Sequence, residues 1–185
     1  MSSPRIIGLT GPNAAGKGAV GEYLSRRHDL PLHSLSDVIR REAAARGQEP
    51  GREVMIALGN ELRAAGGPGA LAQGLLPHLV PPAVVDSIRT PAEVEVLRAQ
   101  AGFELWLVTA PVELRFERSR ARDRVGDATD LETFRRLEEA EDGTDAHRQQ
   151  LSATAALADR TLTNDGDLAR LEAQVEDLLT LPPVR

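Results

Sequence analysis

The sequence predicts an α/β fold built on a parallel sheet, and three observations predict it. Five short apolar segments alternate with longer stretches of helical character. Several of those segments are continuously apolar rather than alternating, as strands buried on both faces of a sheet must be. A glycine-rich turn at residues 11–18 joins the first segment to the first helix.

The strands are expected at residues 5–10, 32–35, 83–88, 105–110 and 161–164. A helix over 18–27 follows the first. One over 37–46 follows the second, and stretches over 53–64 and 69–79 extend that crossover. Helices over 92–100 and 112–123 follow the third and fourth strands. Stretches over 131–142 and 146–158 fill the gap before the fifth, and a helix over 168–179 closes the chain. Gly66-Gly67-Pro68 and Pro81-Pro82 punctuate the pattern. There is no repeat and no low-complexity linker, so residues 1–185 are expected to form one domain.

Composition narrows the function. The 185 residues are 41% hydrophobic and 27% charged, enough apolar content to bury a core. There is no Cys, which excludes disulfides, thiolate metal sites and cysteine catalysis. The formal charge of −6 argues against duplex nucleic acid or an anionic membrane as partner. Aromatics at 3% argue against stacking on single strands. No run of about 18 apolar residues and no charged-then-apolar leader is present, so no membrane partner and a cytoplasmic location are expected.

Every basic residue except Lys17 is Arg. That lysine stands in Gly11-Pro12-Asn13-Ala14-Ala15-Gly16-Lys17-Gly18, which fits Gly-x4-Gly-Lys between a strand and a helix. Glycines let backbone N–H groups turn inward around phosphate oxygens, and the following helix points its positive end at them. A lysine at position 17 can reach the β- and γ-phosphates of a nucleotide held there. Gly18 and Ala19 stand where a Ser or Thr often ligates Mg²⁺, so this loop offers the metal no hydroxyl.

Lys-Gly at this point resembles the nucleoside monophosphate kinases, adenylate kinases among them, and the rest of the chain resembles that group in the same order. Its closest likeness is to archaeal-type adenylate-kinase-related proteins. The resemblance implies a P-loop three-layer sandwich with a five-stranded parallel sheet of order 2-3-1-4-5. A helical acceptor-binding insertion is expected over about 37–80, and a short lid over about 115–158. ATP would be held by Gly11, Asn13, Ala14, Ala15, Gly16, Lys17, Gly18 and Ala19, with Asn164 of the Asn164-Asp165-Gly166 turn beside the adenine. Those turn residues equally suit a plain β–α turn.

On the acceptor side, Asp37 and Arg40 after the second strand resemble the family's Asp and phosphate-gripping Arg. The plainer alternative is an N-cap followed by a solvated helix residue. Val84-Val85-Asp86-Ser87-Ile88-Arg89-Thr90 resembles the family's strand, Asp and following Arg-Thr. Asp86 would hold the waters of Mg²⁺ and Arg89 the acceptor phosphate; alternatively Thr90-Pro91 simply starts a helix. Asn60 and Arg63 are candidates to face the acceptor. Arg115, Arg118, Arg120, Arg122 and Arg124 crowd ten residues against only Glu117 and Asp123. Arg118 and Arg122 match the family's Arg-x3-Arg lid helix, and Arg135-Arg136 could return a further arginine.

The implied reaction is transfer of the ATP γ-phosphoryl group, with Mg²⁺, to a nucleoside or deoxynucleoside monophosphate, AMP-like acceptors being favoured. Gly8-Leu9-Thr10-Gly11 also resembles dephospho-CoA kinase, and residues 52–63 resemble deoxynucleotide kinases. A nucleotide-binding sensor with little turnover is the alternative of a different class. A GTPase switch is disfavoured because its Asn-Lys-x-Asp needs a second lysine. The chain is expected to be a monomer or homodimer.

Overall fold

The computed structural model describes residues 5–122, 128–143 and 148–182. Five parallel strands form one sheet: β1 (Ile6–Thr10), β2 (Leu32–Ser34), β3 (Ala83–Asp86), β4 (Phe103–Thr109) and β5 (Arg160–Thr163). Their order is β2-β3-β1-β4-β5, as the resemblance implied. β1 lies at the centre, pairing Ile6 with Ala83 on one side and with Phe103 on the other. Helices cover both faces: α1 (Lys17–His28), α2 (Leu35–Ala45), α3 (Arg52–Gly66), α4 (Ala70–Leu75), α5 (Pro91–Arg98), α6 (Val112–Arg122), α7 (Leu131–Glu141), α8 (Leu151–Ala155) and α9 (Leu168–Thr180).

The period of two along the strands divides the core in half. Ile6 and Val85 point to one face and pack with Leu35, Ile39, Leu71 and Leu97. Ile7, Leu9 and Val84 point to the other, with Leu24, Trp106 and Val175. All five β1 residues are buried. That arrangement explains why the strands are continuously apolar: each face carries a helical layer.

Three elements differ from expectation. The helix α2 starts two residues early, because Ser34 caps it by accepting from the N–H of Ser36 at 3.2 Å. The stretch 69–79 divides into α4 and a 3₁₀ turn, Leu76–His78, where Pro77 has no N–H to continue an α-helix. The expected helix over 146–158 is the five-residue α8, with residues 144–147 outside the described set. Arg124, and residues 123–127 of the expected lid, also lie outside the described residues.

Candidate active site

The loop between β1 and α1 is shaped by its glycines. Gly11 has φ +133°, and a Cβ there would stand 2.0 Å from the Val108 carbonyl oxygen. Gly16 has φ +110°, and its Cβ would stand 2.2 Å from Asn164 Nδ2. Both positions therefore exclude a side chain twice over, by conformation and by space. Gly16 caps α1 without a side-chain hydrogen bond, leaving the helix's first N–H groups to face the loop. At Gly18 a Cβ would meet nothing within 4 Å, so sterics alone would admit a hydroxyl side chain there.

Neighbouring elements brace the loop. Asn164, at the end of β5, donates from Nδ2 to the Ala15 carbonyl at 2.8 Å. Arg118 of α6 donates in turn to the Asn164 carbonyl and Oδ1, each at 3.2 Å. Arg122 Nη2 donates to Asn13 Oδ1 at 3.2 Å, and Arg115 Nη1 to the Asn13 carbonyl at 3.3 Å. Arg115 is further tied by an ion pair with Glu138 and lies over the Phe134 ring. Two of the expected lid arginines thus meet the loop or the turn that braces it.

Lys17 Nζ donates to the carbonyls of Gly11 and Pro12 at 2.8 and 2.9 Å. Burial lowers its pKa from 10.5 to about 8; Asp86 opposes the fall, and Arg89, Arg122 and Arg115 add to it. A half-buried ammonium near three arginines gains from an incoming polyanion.

Asp86 ends β3, two strands' width from β4 and beside β1. Its Oδ1 is buried with no hydrogen-bond partner among the described residues. The next residue, Ser87, has φ +67° and receives a hydrogen bond at 3.1 Å from Ser34 Oγ. A buried carboxylate oxygen left open at the carboxyl end of the sheet fits the role of holding Mg²⁺ through water. Among the described residues no cluster of three or more His, Asp or Glu could hold a metal. A metal here would thus be held by phosphates and water, with Asp86 the carboxylate on hand.

A cleft of about 410 Å³ opens beside Asn13. Arg40, Arg52, Arg63, Arg89 and Arg122 line it; among the described lining residues the one acidic side chain, Glu141, is paired with Arg52 at 2.6 Å. Arg89 is half-buried; desolvation depresses its pKa, and it donates to Gln149 Oε1 at 2.6 Å. Arg40 is half exposed and pairs with Asp37 at 2.5 Å. Asp37 itself does not line the cleft. Arg63 reaches the cleft wall, but its guanidinium is 2% exposed and held by Glu93.

Sequence reasoning missed Glu93, Gln149 and the Arg52–Glu141 pair. Glu93 is fully buried; its Oε2 accepts from the N–H groups of Arg89 and Thr90 at 2.8 and 3.1 Å. Thr90-x-x-Glu93 is a capping box, a signal present in the sequence. Gln149 and the Arg52–Glu141 pair have no local signature, because their partners lie far away in the chain.

A phosphate loop between β1 and α1, on a parallel sheet ordered 2-3-1-4-5, defines the P-loop kinase fold. Solved structures agree. A Thermus thermophilus protein is 23% identical with TM-score 0.63, covering 96% of this chain and 97% of its own. A shikimate kinase from Bacteroides thetaiotaomicron is 16% identical with TM-score 0.63, covering 97% and 100%. At these identities the likeness is one of fold. No protein-family model matches the chain. Curated relatives do: a UPF0200 protein from Hyperthermus butylicus is 31% identical over 179 residues, covering 95% of this chain and 93% of the relative. One from Halobacterium salinarum is 34% identical, covering 95% and 92%. The chain belongs to the UPF0200 family. It also matches a UPF0200/UPF0201 protein from Archaeoglobus fulgidus at 31% identity, of whose length it spans 55%. Among the described residues no helix is long and apolar enough to cross a membrane.

Proposed function

We propose that the protein transfers the γ-phosphoryl group of ATP to the 5′-phosphate of a nucleoside or deoxynucleoside monophosphate, with AMP-like acceptors favoured. One observation carries this reading. The acceptor cleft is lined by arginines, and the carboxylate in its lining, Glu141, is already paired with Arg52. An alcohol acceptor needs a base to take its proton. A phosphate oxygen is already anionic near neutral pH and needs none, whereas it does need cations to hold it.

In this mechanism the loop 11–19 holds the ATP phosphates through backbone N–H groups and Lys17. Asp86 would hold the waters of Mg²⁺, which when bound supplies charge neutralisation on the β- and γ-phosphates. Arg40 and Arg89 grip the acceptor phosphate and aim one oxygen at Pγ. That oxygen forms the new P–O bond as the bond from Pγ to the β,γ-bridging oxygen breaks, and ADP leaves with the electron pair. Arg118 and Arg122 carry neutralising charge from α6 toward the transferring group. Catalysis is then positioning and electrostatic stabilisation, with no covalent intermediate.

The test is a panel of ATP, Mg²⁺ and one acceptor each: nucleoside and deoxynucleoside monophosphates, dephospho-CoA and shikimate. ADP release is read together with the phosphorylated product. Nucleoside diphosphate is the expected product. Phosphorylation of dephospho-CoA or shikimate in its place overturns the reading, and so does the absence of turnover with every acceptor.

A further inference from the structure

A second chamber, of about 200 Å³, lies between α3 and α7. It shares Arg52, Ile56, Glu141 and Gln149 with the acceptor cleft, so the two spaces have a common wall. Ile56, Leu137 and Ala140 give it apolar sides. Asn60 of α3 lines it too, and Asn60 Oδ1 is buried with no hydrogen-bond partner among the described residues. A buried amide oxygen without a donor is costly, and few survive in folded proteins unless something pairs with them.

The two spaces together have the polarity of a nucleotide. One end is rich in arginine and suits a phosphate. The other is a small slot whose apolar sides, Ile56, Leu137 and Ala140, suit a flat heteroaromatic ring, with the unpartnered Asn60 amide and the charged Glu53 and Arg148 also on its wall. The open group is an acceptor, so the ring must present an N–H. An amide that accepts through Oδ1 and donates through Nδ2 matches an exocyclic amine beside a ring nitrogen, the edge of a 6-aminopurine. The terminal torsion of Asn is soft, so a small rotation about Cβ–Cγ brings the oxygen onto that edge.

Resting on the monophosphate kinase reading, we propose that this chamber receives the acceptor's base and that Asn60 is its specificity residue, selecting a purine with a 6-amino group. Hypoxanthine is the discriminating comparison. It keeps the ring and the phosphate, but on the N7 edge, where Asn pairs with adenine N6 and N7, it presents two acceptors, so the amide oxygen would face a lone pair however the amide is turned.

The experiment measures AMP and IMP binding by calorimetry to the wild type and to Asn60→Ala, with circular dichroism to show that the variant is folded. The same pairs are assayed for phosphorylation with ATP and Mg²⁺. A good bidentate base contact discriminates by about 10- to 100-fold. The wild type is expected to prefer AMP over IMP by that factor. Asn60→Ala is expected to bring AMP down to the IMP level and to leave IMP and ATP affinities unchanged. A wild type indifferent to the amine, or a folded variant that keeps the preference, overturns the assignment of Asn60. Phosphorylation of AMP and IMP at equal efficiency would sink this inference while sustaining the kinase. Amine-selective binding without phosphorylation would sustain the chamber and sink the kinase. If neither monophosphate binds, both fail.

Discussion

Replacing Arg63 by Met tests the buried ion pair that joins α3 to α5. Arg63 and Glu93 are 2% and 0% exposed, so neither charge is screened by water. Arg63 Nε and Nη2 donate to Glu93 Oε1 at 3.1 and 2.8 Å, while Glu93 Oε2 keeps the two backbone N–H groups of the α5 cap. The variant strips Glu93 of two charge-assisted hydrogen bonds of about 1.5–3 kcal/mol each. Removing one partner of a buried pair costs about 3–5 kcal/mol by comparison with other systems. The two routes agree on about 3–5 kcal/mol, a large share of the roughly 5–15 kcal/mol of a typical domain. Urea unfolding followed by far-ultraviolet circular dichroism should show the midpoint fall accordingly. Adding Glu93→Gln neutralises the stranded charge yet still accepts from the cap, so the double variant should recover about 1–3 kcal/mol. A single variant within about 1 kcal/mol of wild type, or a double variant no better than the single, would refute the argument.

Lys17→Met should abolish phosphoryl transfer in a folded protein; turnover like the wild type would remove the phosphate loop from the mechanism. Because Lys17 titrates near pH 8 in the folded chain, ATP affinity should fall as pH rises from 7 to 9.5, and Lys17→Arg should flatten that profile. The sign for stability is opposite. Between about pH 8 and 10.5 the unfolded chain binds the extra proton, so this group's contribution to stability rises with pH, as unfolding at several pH values would show against Lys17→Met. Arg40→Ala and Arg89→Ala should each weaken the acceptor about 10- to 100-fold with little change for ATP, measured by calorimetry; unchanged acceptor binding would strike them from the site. Gly11→Ala forces a Cβ to 2.0 Å from a backbone oxygen at φ +133° and should cost about 2–5 kcal/mol by the same urea assay; an unperturbed midpoint would show the loop to be more pliant than its geometry.

Local chemistry was enough for the architecture. Continuous apolar strands such as residues 6–10 can exist only inside two helical layers, so the parallel sheet followed from pattern alone. The strand order did not; it came with the resemblance carried by Gly11 to Gly18, and the structure has that order. Lys17 was legible because a strand, a glycine turn and a helix are consecutive in the chain. Asp86 and Arg89 were legible because the end of a strand is a local event.

What the sequence did not determine by itself is which side chains meet across long separations. Arg63 and Arg89 were both read as candidates to meet the acceptor, with no sign of what else would hold them. Only the tertiary structure ties one to Glu93 of α5 and turns the other to Gln149, just before α8. Arg118 and Arg122 share a helix face, yet one meets Asn164 and the other Asn13, because β5 and the phosphate loop converge there. Asn60 is one polar residue on an amphipathic helix until the fold sets it beside a chamber shared with α7 and leaves its oxygen without a donor among the described residues. Periodicity records which face of an element is buried. The partner on the far side is decided by tertiary packing, where desolvation makes each unmatched charge or hydrogen bond count.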